Sequence, residues 1–178
     1  MALRRAGAYS KKYTRPYTRR SSKKAKSYIK TVPNQKISNF KMGDINGFKT
    51  GKYKIIMHFV SGEQIQIRDN AIESSRQFVH KVIEENMPGN YYFEVKVYPH
   101  HILRENKVLT GAGADRMQTG MQHSFGVTMG RAALLKPNQE IFMIAVSSDK
   151  ARSIVADALH KIRAKLPCHS RTLVEIRK

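Results

Sequence analysis

The first quarter of this chain constrains it most. From Met1 to Gly43 there are 13 lysines and arginines and no aspartate or glutamate. The run ALRRAGAYSKKYTRPYTRRSSKKAKSYIK shows no sustained apolar period of 2 or 3.6, so it has no face to bury. It reads as an extended or partly ordered basic arm, residues 1–43, ahead of one patterned domain, residues 44–178. That domain holds 20 basic and 13 acidic residues, so most of the overall charge of +20 sits in the arm.

A charge this large opposes compaction of the isolated protein and calls for a polyanion. Tyr9, Tyr13, Tyr17 and Tyr28 are interleaved with the cations. Rings can stack on bases while basic side chains satisfy phosphates, a mixture that suits RNA better than lipid. A membrane-surface helix would carry Leu, Phe or Trp along one face, and the arm has no such face. Its RNA-binding candidates are Arg4, Arg5, Lys11, Lys12, Arg15, Tyr17, Arg19, Arg20, Lys23 and Lys24.

The body is patterned. Tyr53–Val60 and Glu63–Arg68 flank Ser61-Gly62, a two-residue turn signal, and read as a hairpin. Residues 69–89 place Ile72, Phe78, Val79, Val82 and Ile83 on one helical stripe, with Asn70 and Glu73 spaced as a capping-box variant and Pro88-Gly89 as the stop. YYFEVKVYP alternates Phe93, Val95 and Val97 with polar neighbours. QEIFMIAVSS, residues 139–148, is apolar enough for a central strand. A second helix starts near Asp149, with Ala151, Ile154, Val155, Ala158, Leu159 and Ile162 on one face, and RTLVEIR supplies a last strand. The expected fold is α+β: a mainly antiparallel sheet with two helices packed on one face, a basic arm and a long glycine-rich loop.

The segment from Pro99 to Arg131 fits none of these elements. Within it, LTGAGADRMQTGMQHSFG has four glycines in 18 residues. A dinucleotide site needs Gly-x-Gly-x-x-Gly directly after a strand and opening a helix; here Gly111 and Gly113 have no third glycine and Pro99 lies well upstream. A P-loop is excluded because no Gly-Lys-Ser/Thr follows. The seven histidines lack metal-ligand spacing. Cys168-His169 has no orienting third group, and the acids sit beside cations. No catalytic, cofactor or metal residue is expected. A single cysteine excludes an internal disulfide and points to a reducing compartment. No apolar run approaches the roughly 20 residues of a membrane span, so the expectation is a soluble, cytoplasmic protein with no membrane partner and no small-molecule substrate. A long loop without its own core is normally functional or disordered. Its glycines permit close backbone approach and its spaced arginines can fork onto phosphates, which suits a large structured RNA.

The run Tyr98–Met121 closely resembles the signature of the universal large-subunit ribosomal protein sixteen family in its archaeal and eukaryotic "ten-e" form. The matching elements are His101-x-x-Arg104-x-Asn106-Lys107, Gly113-Ala-Asp-Arg116, Gly120-Met121 and Phe125-Gly126. The likeness extends to RPYTRR, DNAIESSR and LPCHSRTLVEIRK, and its HHILRENK run is archaeal in character. The resemblance implies an α/β-hammerhead-like fold and a structural protein of the large ribosomal subunit. Its partners would be large-subunit ribosomal RNA near the aminoacyl-tRNA site, the tRNA bound there and neighbouring ribosomal proteins. The loop carried over by position is about residues 102–114. With it come His101, Arg104, Asn106, Lys107, Gly111, Gly113, Arg116 and, beyond it, Arg131 as RNA-facing residues. Gln122 and Val127 depart from positions the family usually fills with basic residues, and the basic arm is expected to compensate. The rival readings are an RNA-modifying enzyme recruited by its arm, and an accessory or unspecific polyanion binder.

Overall fold

A computed structural model describes residues 4–10, 29, 31–105 and 126–177 of the chain. Among these, eight strands and three helices form: β1 (Lys41–Gly43), α1 (Ile45–Lys49), β2 (Ile55–Ser61), β3 (Ile65–Arg68), α2 (Asp69–Asn86), β4 (Tyr92–Val95), β5 (His101–Glu105), β6 (Val127–Leu135), β7 (Glu140–Val146), α3 (Asp149–Ile162), a 3-10 turn (Arg163–Lys165) and β8 (Ser170–Ile176).

The strands make two antiparallel sheets, one of five strands in the order β1-β4-β7-β2-β8 and one of three in the order β3-β6-β5. The α+β class expected from the periodicities is therefore the class observed. β7 is central, as its unbroken apolar run requires, and pairs with β2 and β4. α2 and α3 pack on each other; α3 lies against β2 and β7, and α2 against β3 and β6. One core cluster joins both sheets and both helices, including Ile72, Val79 and Ile83 of α2, Val155, Leu159 and Ile162 of α3, and Ile65, Ile67, Ala133 and Leu135 of the small sheet. Within it, Phe142 meets Phe93 edge-on at 5.6 Å and stacks on Phe59 at 6.1 Å.

Three local expectations are corrected. Tyr53–Val60 and Glu63–Arg68 do not form a hairpin, because β2 and β3 belong to different sheets. The backbone groups at the expected turn are already taken: Ser61 N–H donates to Gln139 O at 2.9 Å, Gly62 N–H to His169 O at 2.7 Å, and Ser61 O accepts from Asn138 N–H at 2.8 Å. The chain is thereby handed from the large sheet to the small one. The capping box at Asn70 and Glu73 does not form either: helix α2 begins at Asp69, Arg68 is its N-cap without a side-chain cap bond, and Glu73 is committed to Arg76 and Ser38. Finally, the excursion from Pro99 to Arg131 is not without regular structure, since β5 and β6 pair across it and build the small sheet with β3.

The end of the segment expected as an arm is built into the domain. β1 pairs with β4, and Ile37 and Met42 are buried in the core. Arg76 fixes this stretch: buried beside Glu73, it donates Nε to Glu73 Oε2 and Nη2 to Glu73 Oε1, both at 2.7 Å, and Nη2 also reaches Ser38 Oγ at 2.9 Å. Gly43 takes φ +83°, and a Cβ there would lie 2.2 Å from Tyr91 O, so the close approach of β1 to Tyr91 needs glycine.

Candidate nucleic-acid interface

The small sheet positions the candidate residues. β3 runs directly into α2, so Gln66 and Arg68, two apart on one strand, project from the same face next to the helix start. β5 brings His101, Arg104 and Glu105 to the other edge, and β6 carries Arg131 between them, where Ile102 pairs with Arg131.

The N-terminal segment is docked on this sheet. Residues 4–10 turn through Ala8 N–H to Arg5 O at 2.9 Å, and Tyr9 is held at φ +65°. The Tyr9 hydroxyl donates to Glu105 Oε1 at 2.8 Å while Arg4 reaches the same carboxylate at 2.6 Å and the Tyr9 hydroxyl at 2.9 Å. Gln66 Nε2 donates to the Tyr9 carbonyl. Arg68 Nη2 clasps the carbonyls of Arg4 at 2.5 Å and Arg5 at 2.8 Å. Both guanidinium groups lie over the Tyr9 ring, Arg4 at 5.4 Å and Arg68 at 5.9 Å. The hydrogen bonds from Tyr9 and Arg4 hold the Glu105 carboxyl below its ordinary range, and burial together with the Glu105 bond raises the Tyr9 phenol.

On β6, Arg131 donates Nε to Pro33 O at 2.7 Å and Nη1 to the Tyr98 hydroxyl at 3.2 Å. Tyr98, 40% exposed, stacks on Phe40 at 5.6 Å and meets exposed His100 at 4.5 Å. An arginine beside two solvent-facing rings combines phosphate chemistry with a base-stacking surface.

Arg4 and Arg5 are exposed, Arg104 and Arg131 half-buried, and His101 is buried at 7% exposure. Burial, then the neighbouring Arg104 charge, lowers the His101 pKa, so the ring is neutral at physiological pH. The structure thus brings Arg4, Arg5, His101, Arg104 and Arg131 onto one small sheet. Lys11, Lys12, Arg15, Tyr17, Arg19, Arg20, Lys23, Lys24, Asn106, Lys107, Gly111, Gly113, Arg116 and Gln122 lie outside the described residues. Sequence reasoning did not single out Lys36, which lines the space beside Tyr9 and Arg68, nor Arg68, Tyr98 and His100. The adjacent aromatics of YPHH were a signal for the last two, whereas nothing local marked Lys36 or Arg68. Among the described residues no group of His, Cys, Asp or Glu is arranged to hold a metal ion, and no helix is long and apolar enough to cross a membrane.

The profile of a family described as ribosomal protein L16p/L10e matches residues 14–173. A large ribosomal subunit protein uL16 from Hyperthermus butylicus is 41% identical over 160 residues, 89% of this chain and 83% of its own length. The protein of that name from Methanococcus maripaludis is 39% identical over 175 residues, 98% of this chain and 95% of its own. The one from Archaeoglobus fulgidus is 35% identical over 162 residues, 90% of this chain and 87% of its own.

Proposed function

Because this chain belongs to the ribosomal protein L16p/L10e family, we propose that it acts as a structural, non-enzymatic constituent of the large ribosomal subunit, binding large-subunit RNA beside the aminoacyl-tRNA site. The observation that carries the RNA reading is the clasp of the N-terminal segment on Glu105, the last residue of β5 before the glycine-rich segment. Through it, the points at which the basic arm and the glycine-rich segment join the described fold are held together on one small sheet. Arm and loop then address one RNA region instead of two. Arg5, Arg104 and Arg131 on the sheet, Lys11, Lys12, Arg15, Arg19, Arg20, Lys23 and Lys24 in the arm, and Lys107 and Arg116 in the loop supply phosphate contacts. Tyr17, Tyr98 and His100 supply stacking, and Asn106, Gly111 and Gly113 admit close backbone approach. His101, neutral and buried, holds β5 in place beneath them. Neighbouring ribosomal proteins are further partners, and aminoacyl-site tRNA is the partner of the loop.

Binding of this kind is driven by counterion release, so affinity falls steeply with salt, about a thousandfold or more between roughly 50 and 200 mM for six to ten phosphate contacts. The test is binding of the full chain to large-subunit ribosomal RNA against an unrelated RNA of equal length, across salt. Preference for the ribosomal RNA, lost together with much of the salt slope on deleting Met1 to Lys30, supports the reading. Equal binding to both RNAs, or an unchanged slope after the deletion, contradicts it. A crosslinker placed at Lys107 should capture aminoacyl-site tRNA in assembled ribosomes; capture of none removes the tRNA role.

A further inference from the structure

Beneath the docked N-terminal segment lies a cavity of about 120 Å³, where β3 passes into α2 and β6 forms the far wall. Gly130 is part of that wall, and a Cβ built on it meets nothing within 4 Å, so the wall opens onto unfilled space. The start of α2 lies at the cavity, with Arg68, Asp69 and Asn70 all lining it. That helix has no side-chain cap from its N-cap residue, and although Asp69 takes the Asn70 amide, the positive end of the helix dipole lies at the site.

Two residues of the lining each carry a buried polar atom without a partner, Arg68 Nε and Asn70 Oδ1. Asn70 is an amide whose oxygen and nitrogen exchange places by a flip, so it presents a donor equally well. The charges favour an anion. Arg4 is matched by Glu105, which leaves Lys36, Arg68 and Arg131 against the single carboxylate of Asp69. That carboxylate is already occupied, accepting Asn70 N–H at 2.8 Å and Lys36 N–H at 3.2 Å. The Arg68 Nη2 group is spent on the carbonyls of Arg4 and Arg5, while Nε of the same lining residue is a donor without a partner.

We propose that this cavity seats one phosphodiester group of the bound RNA, held by Arg68 Nε, the Asn70 amide and the start of α2, with Lys36 and Arg131 supplying charge. The assignment rests on the RNA-binding reading above. It makes the cavity a fixed registration point: the arm that covers it and the helix that floors it are both tied to the same phosphate.

The experiment uses the full chain with large-subunit ribosomal RNA. Gly130→Leu fills the cavity from its open wall. It should weaken binding about tenfold near 0.15 M salt and lower the slope of log K against log salt by about 0.7 to 0.9, the share of one phosphate contact. Asn70→Leu, which removes the side chain whose Oδ1 has no partner, should act in the same direction, and it carries the comparison if Gly130→Leu fails to fold. Inorganic phosphate titrated without RNA should shift the Arg68 Nε–H resonance in the wild type and not in Gly130→Leu. Unchanged affinity and slope in the folded variants overturn the proposal while the RNA reading stands. A response to inorganic phosphate with an unchanged RNA slope also overturns it, since the seat would then hold a free anion. Failure of the wild type to prefer ribosomal RNA sinks the RNA reading, and the proposal with it.

Discussion

Replacing Glu73 by glutamine should be among the most damaging single-atom changes in this protein. The carboxylate accepts two charged hydrogen bonds from Arg76 at 2.7 Å each, and further bonds from the Ser38 hydroxyl at 3.0 Å and Gln77 Nε2 at 2.9 Å. The two side chains are only 8% and 12% exposed, so water cannot take over the lost partner. Removing one member of such a pair leaves a buried, uncompensated guanidinium, a loss of about 3–5 kcal/mol. Glutamine keeps one acceptor, which places the expected loss near the lower end, about 3 kcal/mol. The consequence is local first: Ser38 and, beside it, Ile37 lose their anchor to α2. The double variant Glu73→Leu with Arg76→Met should recover most of the loss, because a buried ion pair is worth little against well-packed apolar side chains. Burial raises the Glu73 pKa, but the hydrogen bonds from Arg76 and Ser38 outweigh it and hold the pKa below its ordinary value. A lowered folded-state pKa stabilises above the unfolded value and ceases to as pH falls through the folded one. The wild-type advantage over Glu73→Gln should therefore be full at pH 6 to 7 and shrink below about pH 4. Urea unfolding of both variants at several pH values measures this. A loss under about 1 kcal/mol at pH 7, or a gap that widens on acidification, would refute the reasoning.

Other consequences can be checked more briefly. Tyr9→Phe removes the hydroxyl that joins the N-terminal segment to Glu105, a loss of about 1 kcal/mol, and should speed tryptic cleavage at Arg4 and Arg5 while leaving the core's hydrogen exchange unchanged. Phe142→Ala, at the meeting point of Phe59 and Phe93 in the core, should destabilise by about 3–5 kcal/mol in chemical unfolding. Gly43→Ala should also destabilise, since its Cβ would collide with the Tyr91 carbonyl, and a wild-type melting temperature would contradict the close approach. Cys168 is buried and burial raises its thiol pKa, so an aromatic disulfide reagent at pH 8 should react only as fast as the protein opens.

Where one periodicity dominated, the sequence carried the fold. The stripe Ile72, Val79, Ile83 fixed the buried side of α2, Val155, Leu159, Ile162 that of α3, and the alternation Phe93, Val95 that of β4. What was illegible depended on partners far along the chain. Ser61-Gly62 has the composition of a hairpin turn, but the ends of β7 and β8 occupy its amides and carbonyl. Ile37 and Met42 are isolated apolar residues in a polar stretch, so no local period shows that they enter the core. β5 and β6 are separated by the glycine-rich segment, which masked the pairing of His101 with Ala132. At the site, resemblance to a known family singled out Arg104 and His101, but the clasp of Tyr9 on Glu105 joins residues 96 positions apart, beyond the reach of motif or spacing.

The central claim, that this chain is an integral part of the large ribosomal subunit and is held there by RNA, is tested most directly by sedimentation. Tagged protein from native extract is run on a density gradient with and without a moderate salt wash, and its amount in the large-subunit fractions is compared with that of ribosomal RNA. The account predicts stoichiometric co-migration that survives the wash. Sedimentation away from the subunits, or loss of the protein under mild salt, would contradict it.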